Sequence, residues 1–464
     1  MSRIVVIGGV AAGMSAASQA KRRQPDDDVV VLERGPYVSY AACGMPYNIE
    51  DPARTLDDLV VLTPADVRER GIDLRLRHRA SGVDSGRRVV TVQDLEVGTT
   101  VEVDYDALVL ATGATPVQPP IPGLDKRGVF VLRQLTDGQA LKQHLAEARP
   151  ARAVIVGAGY IGMEMAESLR SRGLAVTVVE RMDQVTPGFD PVIAALVTDA
   201  LGRHGVSVET GVAVQAVEEA GGDGLTVRTD RGCLPTDVVL VAVGVRPRVE
   251  LARSAGVALG ETGAIAVDDG MRTNVPGVFA AGDCAEARHI VSGRPVWIPL
   301  GTTANKQGKV AGANAAGATE VFAGVAGTVG FKVFDLEVAR TGLTATEAAS
   351  LGIDVVTAVS RQPSRARGYP GANPITTTLA AERGTGRLIG AQMAGVGVVA
   401  KRIDVFATAL AAGLTVEALE ALDLSYAPPF APVYDPVLVA AAVARKRLQA
   451  AARKEAAAVG RVGR

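Results

Sequence analysis

Two short hydrophobic segments constrain this 464-residue chain more than any other feature. Each runs into a glycine-rich turn and a helical stretch, and then into a second hydrophobic segment closed by a glutamate. The first is Arg3-Ile4-Val5-Val6-Ile7, short and β-branched with no polar alternation, which predicts a fully buried parallel strand. Gly8-Gly9-Val10-Ala11-Ala12-Gly13 follows, then a small-residue helix to Arg23, then Val29–Leu32 ending in Glu33. The pattern is that of a dinucleotide site, with a tight turn, a helix N-terminus facing pyrophosphate and a carboxylate for ribose hydroxyls. Gly8 and Gly13 hold the first and third glycine positions, and Val10 replaces the middle one. The same grammar returns in Ala153–Val156, Gly157-Ala158-Gly159-Tyr160-Ile161-Gly162, a helix through Gly173, and Val176–Val179 ending in Glu180. Here all three glycines are present. A glutamate at that strand end favours a free 2′-hydroxyl and repels a 2′-phosphate, so NADH is expected over NADPH, with Arg181 softening the preference.

Composition supports a folded α/β protein. Hydrophobic residues make up 48% and charged residues 21%, which excludes wholesale disorder. A formal net charge of −1 excludes the global basic footprint of a nucleic-acid binder. The 52 glycines exceed average usage without any collagen-like period, as expected of many tight turns and close backbone approaches. Three scattered cysteines and four histidines, with no C-x-x-C, argue against a disulfide framework and against a metal site. The N-terminal segment enters the first glycine turn without a signal peptide, and the apolar run Val437–Ala444 is too short to span a bilayer. A reduced, cytoplasmic protein is expected.

Further segments fit two bound dinucleotides. Tyr105–Leu110 reads as a buried strand ending in the turn Ala111-Thr112-Gly113, and Val238–Val243 with Gly244 repeats it near the end of the second unit. Thr273 to Asp283 places a carboxylate at the close of another short strand, where it either caps a helix or meets a ribityl hydroxyl.

The paired fingerprints, the Ala111-Thr112-Gly113 turn and Gly282-Asp283 resemble the two-dinucleotide flavoprotein disulfide reductase superfamily over nearly the whole chain. The resemblance implies two Rossmann-like dinucleotide-binding domains and a C-terminal α+β dimerisation domain. The FAD domain would comprise residues 1–114 and 245–325, the NAD(P) domain 115–244, the dimerisation domain 326–445, and a basic helical or flexible tail 446–464. It implies FAD contacts from Gly8, Gly13, Glu33, Arg34, Thr112, Gly113, Arg133 and Asp283, and NAD(P) contacts from Gly157, Gly159, Gly162 and Glu180. Tyr160 would gate the nicotinamide face of the flavin.

Glutathione reductase-like members carry C-x4-C and a C-terminal His-Pro pair. This chain has Cys43 alone in Val38–Tyr47 and no histidine beyond His289. Cys233 and Cys284 read as small buried hydrophobes. Cys43 is flanked by Gly44 and Pro46, and at a helix N-terminus its thiol pKa would fall. The single-cysteine branch divides by chemistry. NADH oxidases and peroxidases typically carry a histidine in the first glycine loop, where this chain has Val10. Coenzyme A-disulfide reductases and NAD(P)H persulfide reductases typically show the Gly-Gly-Val-Ala-Ala-Gly loop seen at 8–13. Arg367–Gly371 and Ser425–Phe430 resemble their two tyrosine segments, implying that Tyr369 and Tyr426 reach the partner subunit's thiol site, with Tyr434 as a third contact. Ser39, Lys21 and Arg22 would hold the substrate, matching where the family binds coenzyme A phosphates. Ala42 stands where asparagine is usual in coenzyme A-disulfide reductases, which removes one amide contact near the thiol substrate. The expected activity is FAD-dependent, NAD(P)H-driven reduction of a small disulfide or persulfide by a homodimer. A sulfenate-cycling NADH oxidase and a flavin electron carrier for a protein partner are the alternatives.

Overall fold

A computed structural model describes residues 1–221 and 224–462. The chain divides into two compact units: Met1–Pro150 with Val241–His289 and Gly293–Val325, and Ala151–Leu240 with Ile290–Ser292 and the chain from Ala326.

The first unit is organised around a five-stranded parallel sheet. Its order is Val278–Ala280, Ala107–Leu110, Arg3–Ile7, Asp28–Glu33 and Ile72–Leu76. The glycine-loop strand is central, with Val5 opposite Val30 on one side and Leu108 on the other. Ile4, Val5 and Val6 are fully buried because both sheet faces are covered, and each such side chain contributes roughly 1.5–3 kcal/mol. Helices Ala11–Arg23 and Gly301–Ala315 cover one face and cross closely. A Cβ at Gly308 would stand 2.2 Å from the Ala12 carbonyl oxygen, and one at Gly312 would stand 2.1 Å from that of Ala16. Small residues therefore set the separation of these helices, and with it the direction in which the first helix presents its N-terminus. An antiparallel ribbon, His78–Asp84, Val89–Asp94 and Thr100–Asp104, completes the unit.

The second unit repeats the strand–turn–helix arrangement. Arg152–Val156 pairs in parallel with Ala175–Glu180, which pairs with Ser207–Thr210. An antiparallel sheet follows, in the order Val329–Val333, Leu336–Gly342, Leu388–Gly395, Pro374–Glu382 and Val355–Pro363. Helices Val399–Ala411 and Pro436–Val462 pack on it around Phe406, Ile389, Met393, Ile403 and Val437. The tail is helical through Val462, and its last two residues lie outside the described ones.

Cys284 is buried as expected, but Cys233 is exposed. Cys233 lies on Gly232–Thr236, an outer strand of a three-stranded antiparallel sheet, where side chains alternate and its own points to solvent.

The helix contact yields a test by paired substitution. Gly312→Ala forces a Cβ into a backbone carbonyl and should destabilise the first unit by about 1–3 kcal/mol despite better helix propensity. Gly202→Ala places its Cβ within 4 Å of nothing. It should be neutral or stabilising by up to about 1 kcal/mol. Urea midpoints that shift equally for both variants contradict this account of the helix crossing.

Candidate active site

The site begins with a backbone that cannot tolerate side chains. Gly8 takes φ +115°, and a Cβ there would lie 2.2 Å from the Ala111 carbonyl oxygen. A Cβ at Gly13 would lie 1.8 Å from the Gly8 carbonyl oxygen. The first helix therefore starts directly against the strand it follows. That start has no side-chain cap and no acidic residue in its first turn, so its N–H groups and positive dipole end remain available to an anion. Glu33 braces the loop: its Oε2 accepts the Gly9 N–H at 2.7 Å and its Oε1 the Gly35 N–H at 2.7 Å.

The second unit reproduces this cradle atom for atom. Gly157 takes φ +104°, and a Cβ at Gly162 would meet the Gly157 carbonyl oxygen at 2.1 Å. Glu180 accepts the Ala158 N–H at 2.7 Å and the Met182 N–H at 2.8 Å. The middle glycine, Gly159, would put its Cβ within 4 Å of nothing. The protein's own packing thus leaves the middle position unconstrained, which explains why Val10 is accommodated in the first copy.

Around the first cradle lies a cavity of about 780 Å³, within the range of sites that enclose cofactor-sized molecules. Its walls include Gly8, Gly13, Arg22, Glu33, Arg34, Ser39, Cys43, Thr112, Gly113, Arg133 and Asp283. The sequence-derived FAD residues and the cysteine therefore share one space, formed wholly within the first unit. Seven arginines and lysines line it (Arg22, Arg34, Arg70, Arg79, Arg133, Arg248 and Lys309) against three carboxylates (Glu33, Glu250 and Asp283). That balance suits a polyanionic occupant. The residues fit FAD: an uncapped helix start for diphosphate, Glu33 for ribose, and Asp283 beside small residues for the ribityl chain.

Lys21 does not join this wall. Its ammonium donates to the Asp27 carbonyl at 2.8 Å, because the last turn of the first helix turns it toward the following loop. Arg22, one residue on, faces the cavity. Asp283 caps no helix; its Oδ2 accepts from Arg133 Nη2 at 2.6 Å. Arg133 is itself held by its N–H on Asp137 Oδ2 at 2.9 Å.

Cys43 sits on a 3-10 turn, Ala42–Gly44, that feeds a six-residue helix, Met45–Glu50, with Pro46 in its first turn. Backbone bonds anchor the approach: Ser39 N–H to Gly9 O at 2.8 Å, Val61 N–H to Ser39 O at 2.7 Å, and Ala41 N–H to Leu59 O at 2.8 Å. Ser39 takes φ +47°, a kinked conformation that turns the chain toward the cysteine. A Cβ at Gly44 would meet the end of the Leu59 side chain, Cδ2, at 2.6 Å, so the turn beside the thiol packs closely on Leu59. Cys43 is exposed, and no disulfide joins it to Cys233 or Cys284. Cys284 is buried, its thiol donating to Leu110 O at 3.3 Å, and burial pushes its pKa up, which makes it inert.

Two residues escaped the sequence reading. Arg248 lines the cavity and donates to the Thr112 carbonyl at 3.0 Å; burial first, then Arg34 and Arg133, press its pKa down. Burial, followed by Glu33, pushes the Tyr40 phenol up to about 12, so it stays protonated beside the cavity. Neither position belongs to a glycine or strand pattern, and Arg248 is brought in from more than a hundred residues beyond the loop it braces.

In the second unit, Tyr160 opens the helix Tyr160–Ser171 and packs with Phe331 at 5.4 Å and Phe189 at 6.3 Å between ring centroids. One side of its ring remains exposed, and burial of the phenol raises its pKa. Tyr369 and Tyr426 are exposed on separate loops, as is Tyr434. Among the described residues no helix is long and apolar enough to cross a membrane.

Two family models match the chain. Residues 2–308 match the pyridine nucleotide-disulphide oxidoreductase model, and residues 328–436 match that family's dimerisation domain. The NAD(P)H sulfur oxidoreductase (CoA-dependent) of Pyrococcus abyssi is 41% identical over 442 residues, 95% of this chain and 97% of its own. An NADH oxidase of Methanocaldococcus jannaschii is 38% identical over 96% of this chain and 99% of its own. The structure of an NAD-dependent persulfide reductase from A. fulgidus superposes with a TM-score of 0.93 at 40% identity, covering 97% of this chain and 84% of that one. Family membership implies FAD and NAD(P)H as the cofactors. On cradle geometry and sequence together, the chain belongs to the pyridine nucleotide-disulphide oxidoreductase family.

Proposed function

We propose that the protein is a homodimeric, FAD-dependent NAD(P)H reductase of a small disulfide or persulfide, of the coenzyme A type, and that Cys43 is its sulfur nucleophile. One observation carries the reading: Cys43 is the cysteine in the wall of a basic cavity built on the first dinucleotide cradle. The names of the relatives, which include coenzyme A-dependent sulfur oxidoreductases, support the same substrate class. So does the excess of arginine in the wall of the cavity that Cys43 shares, because coenzyme A carries several phosphates. The three cysteines and the lack of disulfide pairing among them support a reduced, cytoplasmic location.

In this reading residues 1–114 and 245–325 hold FAD, residues 115–244 hold the nicotinamide dinucleotide, and residues 326–445 form the dimer. When bound, FAD would supply the two-electron chemistry between NAD(P)H and sulfur. Tyr160, braced by Phe189 and Phe331 at the start of the second glycine-loop helix, would gate the nicotinamide. The Cys43 thiolate attacks one sulfur of R–S–S–R, forming Cys43–S–S–R and expelling RS⁻, which takes a proton from Tyr369 or Tyr426 of the facing subunit. Two electrons then cleave the mixed disulfide to Cys43–S⁻ and a second thiolate. The sum is NAD(P)H + H⁺ + R–S–S–R → NAD(P)⁺ + 2 R–SH; with R–S–SH the products are R–SH and H₂S. Ser39 and Arg22 contact the carrier of the thiol. Glu180, held by two backbone N–H groups, favours NADH.

Cys43→Ser should keep its FAD and its NADH–ferricyanide turnover while coenzyme A disulfide and persulfide reduction fall to background. Retained disulfide turnover in that variant rules out the mechanism. Tyr369→Phe/Tyr426→Phe should lower disulfide kcat about a hundredfold, the usual size of a general acid's contribution. For the cofactor, kcat/KM should be higher with NADH than with NADPH, and Glu180→Ala should narrow that ratio. A native preference for NADPH contradicts the assignment. Aerobic NADH consumption without added disulfide should stay well below the disulfide-dependent rate, because Val10 offers no hydrogen bond to a sulfenate; the reverse order supports an NADH oxidase.

A further inference from the structure

The tyrosines assigned above stand on two loops that are distant in sequence. Residues 364–373 join strands Val355–Pro363 and Pro374–Glu382 and carry Tyr369; residues 421–435 lead into helix Pro436–Val462 and carry Tyr426. The first loop is closed at its base by Ser364 N–H to Asn373 O at 2.7 Å and Asn373 N–H to Ser364 Oγ at 3.1 Å. Its tip turns through Gly368 (φ +89°) and Gly371 (φ +76°) on either side of Tyr369-Pro370. One backbone bond, Ala366 N–H to Pro428 O at 3.2 Å, links it to the second loop.

A third segment fastens both. Arg402, on helix Val399–Ala411, donates from Nη2 to Ser364 O at 2.9 Å and to Phe430 O at 3.1 Å. Its Nε donates to Asp435 Oδ2 at 2.9 Å. Asp435 in turn accepts the Val437 N–H at 3.0 Å on Oδ1, so the guanidinium also grips the start of the C-terminal helix. The two side chains are 7% and 10% exposed. Arg402 Nη1 is buried and has no hydrogen-bond partner among the described residues.

The helix bearing Arg402 is set with matching care. Its N-cap, Val398, takes φ +61°, a left-handed conformation that β-branched residues rarely adopt. Glu337 secures it by accepting the Val398 and Ala400 N–H groups, each at 3.0 Å. Arg402 stands one turn further on, its N–H on Val398 O at 3.3 Å.

A buried ion pair is poor value as a stability device, since apolar residues of the same volume often serve folding as well or better. A planar guanidinium differs in offering several donors in fixed directions, and here they meet acceptors on two loops and a helix start. We propose that Arg402 is a positioning residue that fastens the Tyr369 and Tyr426 loops into one element, so that both phenols are presented to the thiol site together. This rests on the reading that those tyrosines serve the reaction.

The test is a mutant cycle on the FAD-loaded dimer with coenzyme A disulfide as substrate. Arg402→Lys keeps a cation for Asp435 but loses the fork. It should lower disulfide kcat about tenfold to a hundredfold, the scale of a misplacement near one ångström. NADH–ferricyanide turnover, FAD content and dimer mass should match the native enzyme. In the Tyr369→Phe/Tyr426→Phe background the same change should cost less than twofold more, because its effect acts through the phenols. If Arg402→Lys fails to fold, Arg402→Met/Asp435→Leu removes both charges at similar volume and carries the same expectation. Native disulfide turnover in either folded variant, an additive loss in the phenylalanine background, or a parallel fall in ferricyanide turnover overturns the role of Arg402. Native turnover in Tyr369→Phe/Tyr426→Phe alone instead overturns the reading of the tyrosines, and the positioning role with it.

Discussion

Backbone meeting backbone at Gly8 and Gly13 is the constraint on which the first unit depends. With a Cβ only 1.8 Å from the Gly8 carbonyl oxygen, any side chain at Gly13 would push the first helix off its strand. The helix start would then no longer face the cavity, and the Glu33 carboxylate would lose the Gly9 N–H it braces. Electrostatics follows from this packing. An uncapped helix terminus is costly unless something anionic satisfies it, and the wall of arginines extends the same preference outward. The second unit spends its glycines in the same way, at Gly157 and Gly162.

The cysteine is tied to this cradle by the chain itself. Ser39 bonds back to Gly9, so the first glycine loop also sets the origin of the segment leading to Cys43. Leu59 then closes over Gly44, and the short helix beyond is buried through Met45, Pro46 and Ile49. A thiol on so firm a base keeps its direction while remaining accessible. Cys284, brought to the same sheet from far along the chain, is sealed between the Leu110 and Ala281 carbonyls and serves packing.

Periodicity and glycine spacing made the framework legible. The first strand and first helix fall where the apolar run and the small-residue stretch put them, at Arg3–Ile7 and Ala11–Arg23, and Glu33 and Glu180 both end their strands. What stayed hidden depends on side-chain direction or on distant segments. Lys21 and Arg22 are neighbours, yet a helical step of one residue turns the first away from the cavity and the second toward it. Cys233 is exposed because its strand lies at the margin of a small sheet, which composition cannot show. Arg248 and Arg402 carry no motif at all. Each matters through carbonyl groups of loops far from it in sequence, and such partners become visible only in the fold.

The central claim concerns one sulfur atom, and the mass of the protein reads it directly. Enzyme reduced with NADH without oxygen, separated from excess nucleotide and mixed with coenzyme A disulfide under acid quench, should gain one coenzyme A thiol per subunit. Peptide mapping should locate that mass on the fragment containing Cys43. An unmodified Cys43, or the adduct on the exposed Cys233 instead, contradicts the account.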